Sequence, residues 1–344
     1  MLKNKLKFSV LLLLFLFSCS DEKEITKPDD ETKEYTYLDD FPRELPKVEY
    51  PEDNYPDEYR IKLGKLLFSD KRLSRTDEVS CASCHKSEFA FADSTPTTKG
   101  VEGLDGTRNS ISLMNVAYQK RLLREGGVPT LEMQILVPFQ EHNEFDLNIL
   151  AAASKLSKDS IYQYLSQLAY KRDLDPFVIT RSISAFERTL IGGNSKFDDY
   201  LNDKAKLTTE EERGMVLFFS DSLACASCHS GILFTSQEFA NNGLYEIYKD
   251  NGKQRLTGLD SDNGVFKIPS LRNVIRTAPY MHDGSVETLE AVLEHYIRGG
   301  IPHRNKSKLI NGFYITDSQK RDIIAFLNIL TDEVYLNKLE YKEN

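Results

Sequence analysis

Apolar residues recur at helical spacing in several separate stretches, and polar segments between them divide the chain. "DEYRIKLGKLLFSD" (57–70) and "TEEERGMVLFFSDS" (209–222) share one pattern: a charged start, an apolar stripe, and a glycine within it, Gly64 and Gly214. From Ile149 to Leu190, "LAAASKLSKDSIYQYLSQLAY" and "PFVITRSISAFERTLIGG" keep the helical period and read as packing helices without chemistry. Leu289, Val292, Leu293 and Tyr296 make one face of a further helix that stops at Gly299 and Gly300. The polar run "NSKFDDYLNDKAKLTTEE" (194–211) reads as a seam, with Thr209 capping the helix after it. The pattern predicts a mainly α chain in two helical domains, 57–205 and 206–335.

Ahead of these helices the pattern changes twice. Lys3, Lys5 and Lys7 precede an apolar run from Phe8 to Phe17, too short to span a bilayer, and Ser18 and Cys19 follow. Residues 1–19 read as an export signal that resembles a lipobox, with Cys19 as a lipid anchor and Phe17 in place of the usual small residue; a plain secretory signal is the alternative. Residues 20–56 are acidic, proline-punctuated and without apolar periodicity, and read as a flexible tether. The expected location is the periplasm or the outer membrane, held by lipid only. An acidic stretch such as "SDEKE" also accompanies surface display in some lipoproteins.

The net charge of −9, with no basic cluster against it, excludes nucleic acid as the partner. Cysteine placement changes the picture more. Apart from Cys19, the thiols fall in two copies of "CASCH", at 81–85 and 225–229. C-x-x-C-H is the c-type haem attachment pattern: two thiols (Cys81 and Cys84, then Cys225 and Cys228) bind the porphyrin, and the next residue, His85 or His229, faces the iron. A zinc site would need both pairs to converge and would leave the histidines surplus. Each domain is therefore expected to be cytochrome-c-like, with one covalent haem.

An electron carrier fills both axial positions of its iron, whereas a peroxide-activating haem keeps one side open and lines it with acid–base groups. From Lys86 to Glu141 there is no histidine, and Met114 and Met133 read as core residues. With "TRNSISLMNVAY" (107–118), "GGVPTLEMQILVPFQEHNEF" (126–145), "KIPSLRNVIRTAPYMHDGSVETLE" (267–290) and "HYIRGG" (295–300), the chain resembles the bacterial di-haem cytochrome c peroxidase family, in its MauG-like branch. That resemblance implies that Glu144 and Gln134 form the polar pair over the open face of the N-terminal haem, with His142 beside them. It implies that Tyr296 ligates the C-terminal haem iron where family peroxidases have Met, with neighbouring His295 turned away. It further implies a calcium ion held between the haems by Asn109, Thr277 and Pro279, and an electron-path role for His282.

Two departures from the family stand out. Its blocking histidine falls here at Val101, so the N-terminal haem is expected to be open at rest. Its inter-haem tryptophan falls at Arg124, and the chain has no tryptophan, though it has 17 tyrosines. The reading that results is an exported peroxidase that reduces hydrogen peroxide and draws electrons from a small redox protein or another oxidisable substrate. The alternatives are a MauG-like oxidase of an organic or protein substrate and a non-catalytic di-haem shuttle. A homodimer is compatible with either.

Overall fold

The computed structural model describes residues 45–337. The signal, Cys19 and tether residues 20–44 lie outside the described residues. The helices are α1 (Glu58–Ser69), α2 (Cys81–Cys84), α3 (Leu131–Gln134), α4 (Leu136–Gln140), α5 (Ile149–Leu156), α6 (Ser160–Tyr170), α7 (Pro176–Glu187), α8 (Lys196–Leu201), α9 (Thr209–Phe218), α10 (Gln254–Thr257), α11 (Leu289–Ile297), α12 (Asp317–Asn328) and α13 (Glu333–Leu336). The one sheet among the described residues is a pair of two-residue strands, β1 (Phe239–Ala240) antiparallel to β2 (Phe266–Lys267).

The two glycines picked out by the apolar pattern perform the same task twice. A Cβ at Gly64 in α1 would land on the carbonyl oxygen of Ser182 in α7, and a Cβ at Gly214 in α9 would land on that of Asp322 in α12. Only glycine lets two helices approach this closely. Phe186 and Phe326, one turn beyond each contact, pack beside the respective glycine. Around the first crossing lies a core that includes Leu63, Leu67, Leu156, Leu165, Ile179, Ile183 and Leu190; around the second lies one built on Phe197, Phe218, Phe234, Ile323, Phe326 and Leu330. Burying a large apolar side chain contributes about 1.5–3 kcal/mol, so each group is enough to hold its crossing.

Three expectations need correction. The helix after the polar run is capped by Thr208: its hydroxyl accepts from Glu211 N (3.3 Å) while Glu211 accepts from Thr208 N (2.7 Å). Thr209, although Glu212 follows it at the same spacing, is the first residue of the helix. The run itself contains α8, with Phe197 in the second core and Asp198 in a buried ion pair with Arg272 (2.8 Å). Residues 45–56 are docked and do not behave as tether. Leu45 and Val48 pack on Ile191 and Leu233, and fully buried Asn54 donates to Glu132 Oε1 (2.9 Å) and to the Arg181 carbonyl (2.9 Å).

Candidate active site

Ser80 caps α2 through a reciprocal bond with Ser83, whose Oγ accepts from Ser80 N (3.0 Å). This turn sets Cys81 and Cys84 on one side and ends at His85, whose N–H donates to Cys81 O (2.9 Å). Ala90 and Phe91 both adopt left-handed backbone, which swings the Phe91 carbonyl onto His85 Nδ1 at 2.9 Å. A carbonyl only accepts, so Nδ1 carries the proton and Nε2 keeps its lone pair. Burial holds the imidazole pKa below its ordinary value, which keeps it neutral.

The second motif reaches the same result by a different route. Left-handed Ala224 leads into a tight 3₁₀ turn at Cys225–Ser227, and His229 N donates to Cys225 O (2.9 Å). His229 Nδ1 lies 3.1 Å from the Pro269 carbonyl and 3.3 Å from that of Phe234, so Nε2 is again the free nitrogen, and burial again lowers the pKa. All four thiols are free and partly reachable by solvent, and no cluster of three or more His, Cys, Asp or Glu that could hold a bare metal ion occurs among the described residues. Paired thiols beside an imidazole with a free Nε2 fit a thioether-linked haem and do not fit zinc.

Opposite the first motif, the turn after α4 folds back on its own helix: Phe145 N donates to Pro138 O (3.0 Å) and Glu144 N to Glu141 O (3.1 Å). Glu144 thereby comes within electrostatic range of both Cys81 and Cys84. Burial, reinforced by the nearby Glu141, pushes its carboxyl up to about 7. At the end of α3, Gln134 holds its side-chain oxygen buried without a partner. Such an orphaned acceptor is rare in native interiors and marks a place where a ligand or water is bound. The helix carrying it is fixed by Glu132, which takes bonds from Arg188 (2.6 and 3.0 Å) and Asn54. Val101 is fully buried and donates its N–H to the Glu144 carbonyl (3.1 Å), while Gly100 lies so close to Asn143 that a Cβ would strike its carbonyl. The Gly100–Val101 loop thus braces Glu144 from behind.

Near the second motif is Tyr296, within electrostatic range of Cys228 and Cys225. Burial pushes its phenol above the ordinary value, against a hydrogen bond from Asn242 that lowers it. Asn242 also accepts His295 Nε2 on its carbonyl (2.9 Å) and donates to Met281 Sδ (3.2 Å), so one side chain and its backbone orient both neighbours on α11. His295 Nε2 is thereby engaged, while its ring meets that of Tyr296 edge-on (5.3 Å between ring centres).

The other sites read from sequence fall outside these two constellations. His142 is exposed and paired with Asp146 (3.1 Å). Met114 is buried as expected, but Met133 is 51% exposed, because the buried side of its short helix is taken by Leu131 and Glu132. His282 stacks on Phe266 (4.2 Å between ring centres) beside Tyr245 and Tyr248, and its carbonyl accepts from Asn109 N (2.9 Å). Thr277 and Pro279 lie in the loop leading to His282. Asn109 gives both its oxygens to Arg124 (2.8 and 2.9 Å), an arrangement that does not fit a calcium ligand. Two residues escaped the sequence reading: Asn242, and Glu187 at the end of α7, a buried carboxyl near Cys81 that burial pushes up to about 8 and whose Oε2 has no partner.

The sequence profile of a family described as di-haem cytochrome c peroxidase matches residues 58–206. The chain is 31% identical over 291 residues to the methylamine utilization protein MauG of Methylorubrum extorquens, covering 83% of this chain and 82% of that one. It is 31% identical over 283 residues to the cytochrome c551 peroxidase of Nitrosomonas europaea, covering 79% and 80%. Its fold is similar to the crystal structure of a MauG-like protein associated with microbial copper homeostasis, with 33% identity, a TM-score of 0.84, and coverage of 88% of this chain and 98% of that one. With paired thiols and a free imidazole nitrogen at both motifs, and relatives of this extent, the chain belongs to the di-haem cytochrome c peroxidase family and is a peroxidase-type oxidoreductase for two c-type haems.

Proposed function

We propose that the protein is exported, that 57–205 and 206–335 each carry one haem, and that hydrogen peroxide is reduced in the N-terminal half. The observation that carries this reading is a buried carboxyl near neutrality, Glu144, within electrostatic range of Cys81 and Cys84; the unsatisfied buried acceptor Gln134 Oε1 at the end of α3 supports it. Bound haem supplies the two electrons that, with two protons, convert one peroxide to two waters. Glu144, as the carboxylate, takes the proton from the inner peroxide oxygen and returns it to the outer, leaving one. Gln134 accepts a hydrogen bond from peroxide and holds it in line. His85 Nε2 and His229 Nε2 would hold the two haem irons, and the Phe91 and Pro269 carbonyls fix the orientation of the rings.

Tyr296 is the second side chain that, with His229, would hold the iron of the C-terminal haem. A buried phenol stays neutral unless a cation sits against it, and a ferric ion supplies that charge. Phenolate favours the oxidised ion and lowers its potential, which favours an organic or protein substrate over an ordinary cytochrome c as electron source. Peroxide consumption by the haem-loaded protein, assayed in parallel with a reduced cytochrome c and with organic donors, tests the reading. Turnover with at least one donor is expected. Peroxide left untouched with every donor would return the protein to a plain electron shuttle.

A further inference from the structure

Arg124 sits in a tight reversal: Leu122 pairs with Val128, Leu123 and Gly126 adopt left-handed backbone, and a Cβ at Gly126 would strike the Phe239 ring. From the other half of the chain, Lys267 N donates to the Arg124 carbonyl (2.7 Å). The turn is thus pinned from both sides and sends the guanidinium inward. Its Nε and Nη2 donate to the Asn109 carbonyl (3.2 and 2.8 Å), and Nη2 also donates to Asn109 Oδ1 (2.9 Å).

Asn109 is 6% exposed and has no polar group to spare. Its N–H goes to His282 O (2.9 Å), its Nδ2 to Thr95 O (3.2 Å), and both oxygens take Arg124. Next to it, Ser110 Oγ donates to Cys84 O (2.8 Å), so this asparagine ties the first haem motif to the loop running through Thr277, Pro279 and His282. Calcium would need Asn109 Oδ1 as one of six to eight oxygens at 2.3–2.6 Å. A guanidinium on that oxygen takes one of its lone pairs and sets a positive charge beside it, which repels a second cation.

The surrounding charges are committed elsewhere. Arg108 holds Asp250 (2.6 and 3.0 Å) and Glu125, Tyr245 holds Asp283 (2.6 Å), and the Lys267 ammonium donates to Gln119 and the Arg121 carbonyl. Among the described residues, the guanidinium of Arg124 donates to no carboxylate. Burial and the proximity of Arg108 pull its pKa down to about 10, still charged at neutral pH. A fixed cation, near Asp283, Asp250 and Glu125 but hydrogen-bonded to none of them, therefore sits where the family resemblance puts an exchangeable one.

We propose that the Arg124 guanidinium is the resident cation of this site, takes the place of calcium, and makes the protein independent of calcium. This rests on the geometry at Asn109 and stands whether or not Glu144 and Tyr296 act as proposed above. The haem-loaded protein should hold substoichiometric calcium by elemental analysis, and its haem spectra and thermal midpoint should not respond to a chelator or to added calcium. One calcium per chain, with spectra that shift on chelation, would overturn the proposal. Arg124→Gln removes the charge and frees Asn109 Oδ1. Added calcium should then raise the midpoint of this variant by about 5 °C, the size expected for a ligand in large excess over its Kd in a chain of this length, and chelator should reverse the rise. A folded Arg124→Gln protein that ignores calcium would also overturn it. Should the variant not fold, the metal content and chelator response of the unaltered protein decide.

Discussion

Glu144→Gln keeps the shape of the side chain and removes its ability to hold a proton in exchange. Loss of a positioned proton-transfer group costs about two to four powers of ten in rate, so peroxide consumption should fall by that factor while haem content and spin state stay the same. The structure adds a second, opposite effect. The carboxyl is pushed from its ordinary 4.5 up to about 7 by burial, so the folded protein holds this proton more tightly than the unfolded chain does. Below about pH 4.5 both states are protonated; between 4.5 and 7 only the unfolded chain releases the proton, so stability falls as pH rises; above 7 the loss is complete, at most about 3 kcal/mol. Glutamine does not titrate and escapes this loss. Glu144→Gln should therefore match the parent at pH 4.5 and exceed it at pH 8 by about 1–3 kcal/mol, or roughly 3–8 °C in midpoint. Thermal unfolding of both haem-loaded proteins at the two pH values, alongside stopped-flow peroxide decay, measures both effects. The parent rate should itself fall about a hundredfold from pH 8 to pH 5 as the carboxylate is lost. A variant with the parent rate, or with a stability gain that ignores pH, would refute the reasoning.

Tyr296→Met should raise the potential of one haem and speed turnover with cytochrome-type donors; the idea fails if Tyr296→Phe leaves both haem spectra unchanged. The mature protein should carry two thioether-linked haems, one of them ferric and high-spin at rest; two low-spin haems in the oxidised spectrum would remove the open site. Glu132→Gln breaks a buried ion pair and should cost about 3–5 kcal/mol in denaturant unfolding at pH 7. Burial works against the Glu132 carboxylate, but Arg188 and Asn54 hold it down to about 2, so its stabilisation, present above pH 4.5, is lost as pH falls toward 2. The gap between parent and Glu132→Gln should therefore narrow in acid, and a constant gap would show that the pair is not responsible.

Much of the site was legible in sequence because its chemistry fixes spacing. Two thiols that must reach one porphyrin, followed by an imidazole, admit little variation, and Gly64 and Gly214 betrayed the repeated crossing because no other residue fits there. What could not be read is set by contacts between distant positions. Asn54 docks the end of the supposed tether by bonding Glu132, 78 residues away. Arg124 could be seen to replace a tryptophan, but its grip on Asn109 depends on how the 122–128 reversal folds. Glu187 looked like the polar edge of a packing helix, since no local pattern tells a buried carboxyl from an exposed one. Met133 misled for the opposite reason: in a helix of one turn, apolar character does not decide which side faces inward.

The repeated glycine crossing separates frame from chemistry. The same carbonyl-on-glycine contact appears in α1/α7 and again in α9/α12, so the two cores are built on one frame. The crossings touch neither Glu144 nor Tyr296, so the same frame carries a carboxyl near one thiol pair and a phenol near the other. The loop carrying Glu144 and the last turn of α11 are the parts to exchange in making a protein with two reactive halves or two passive ones, and the glycine frame is the part to leave alone.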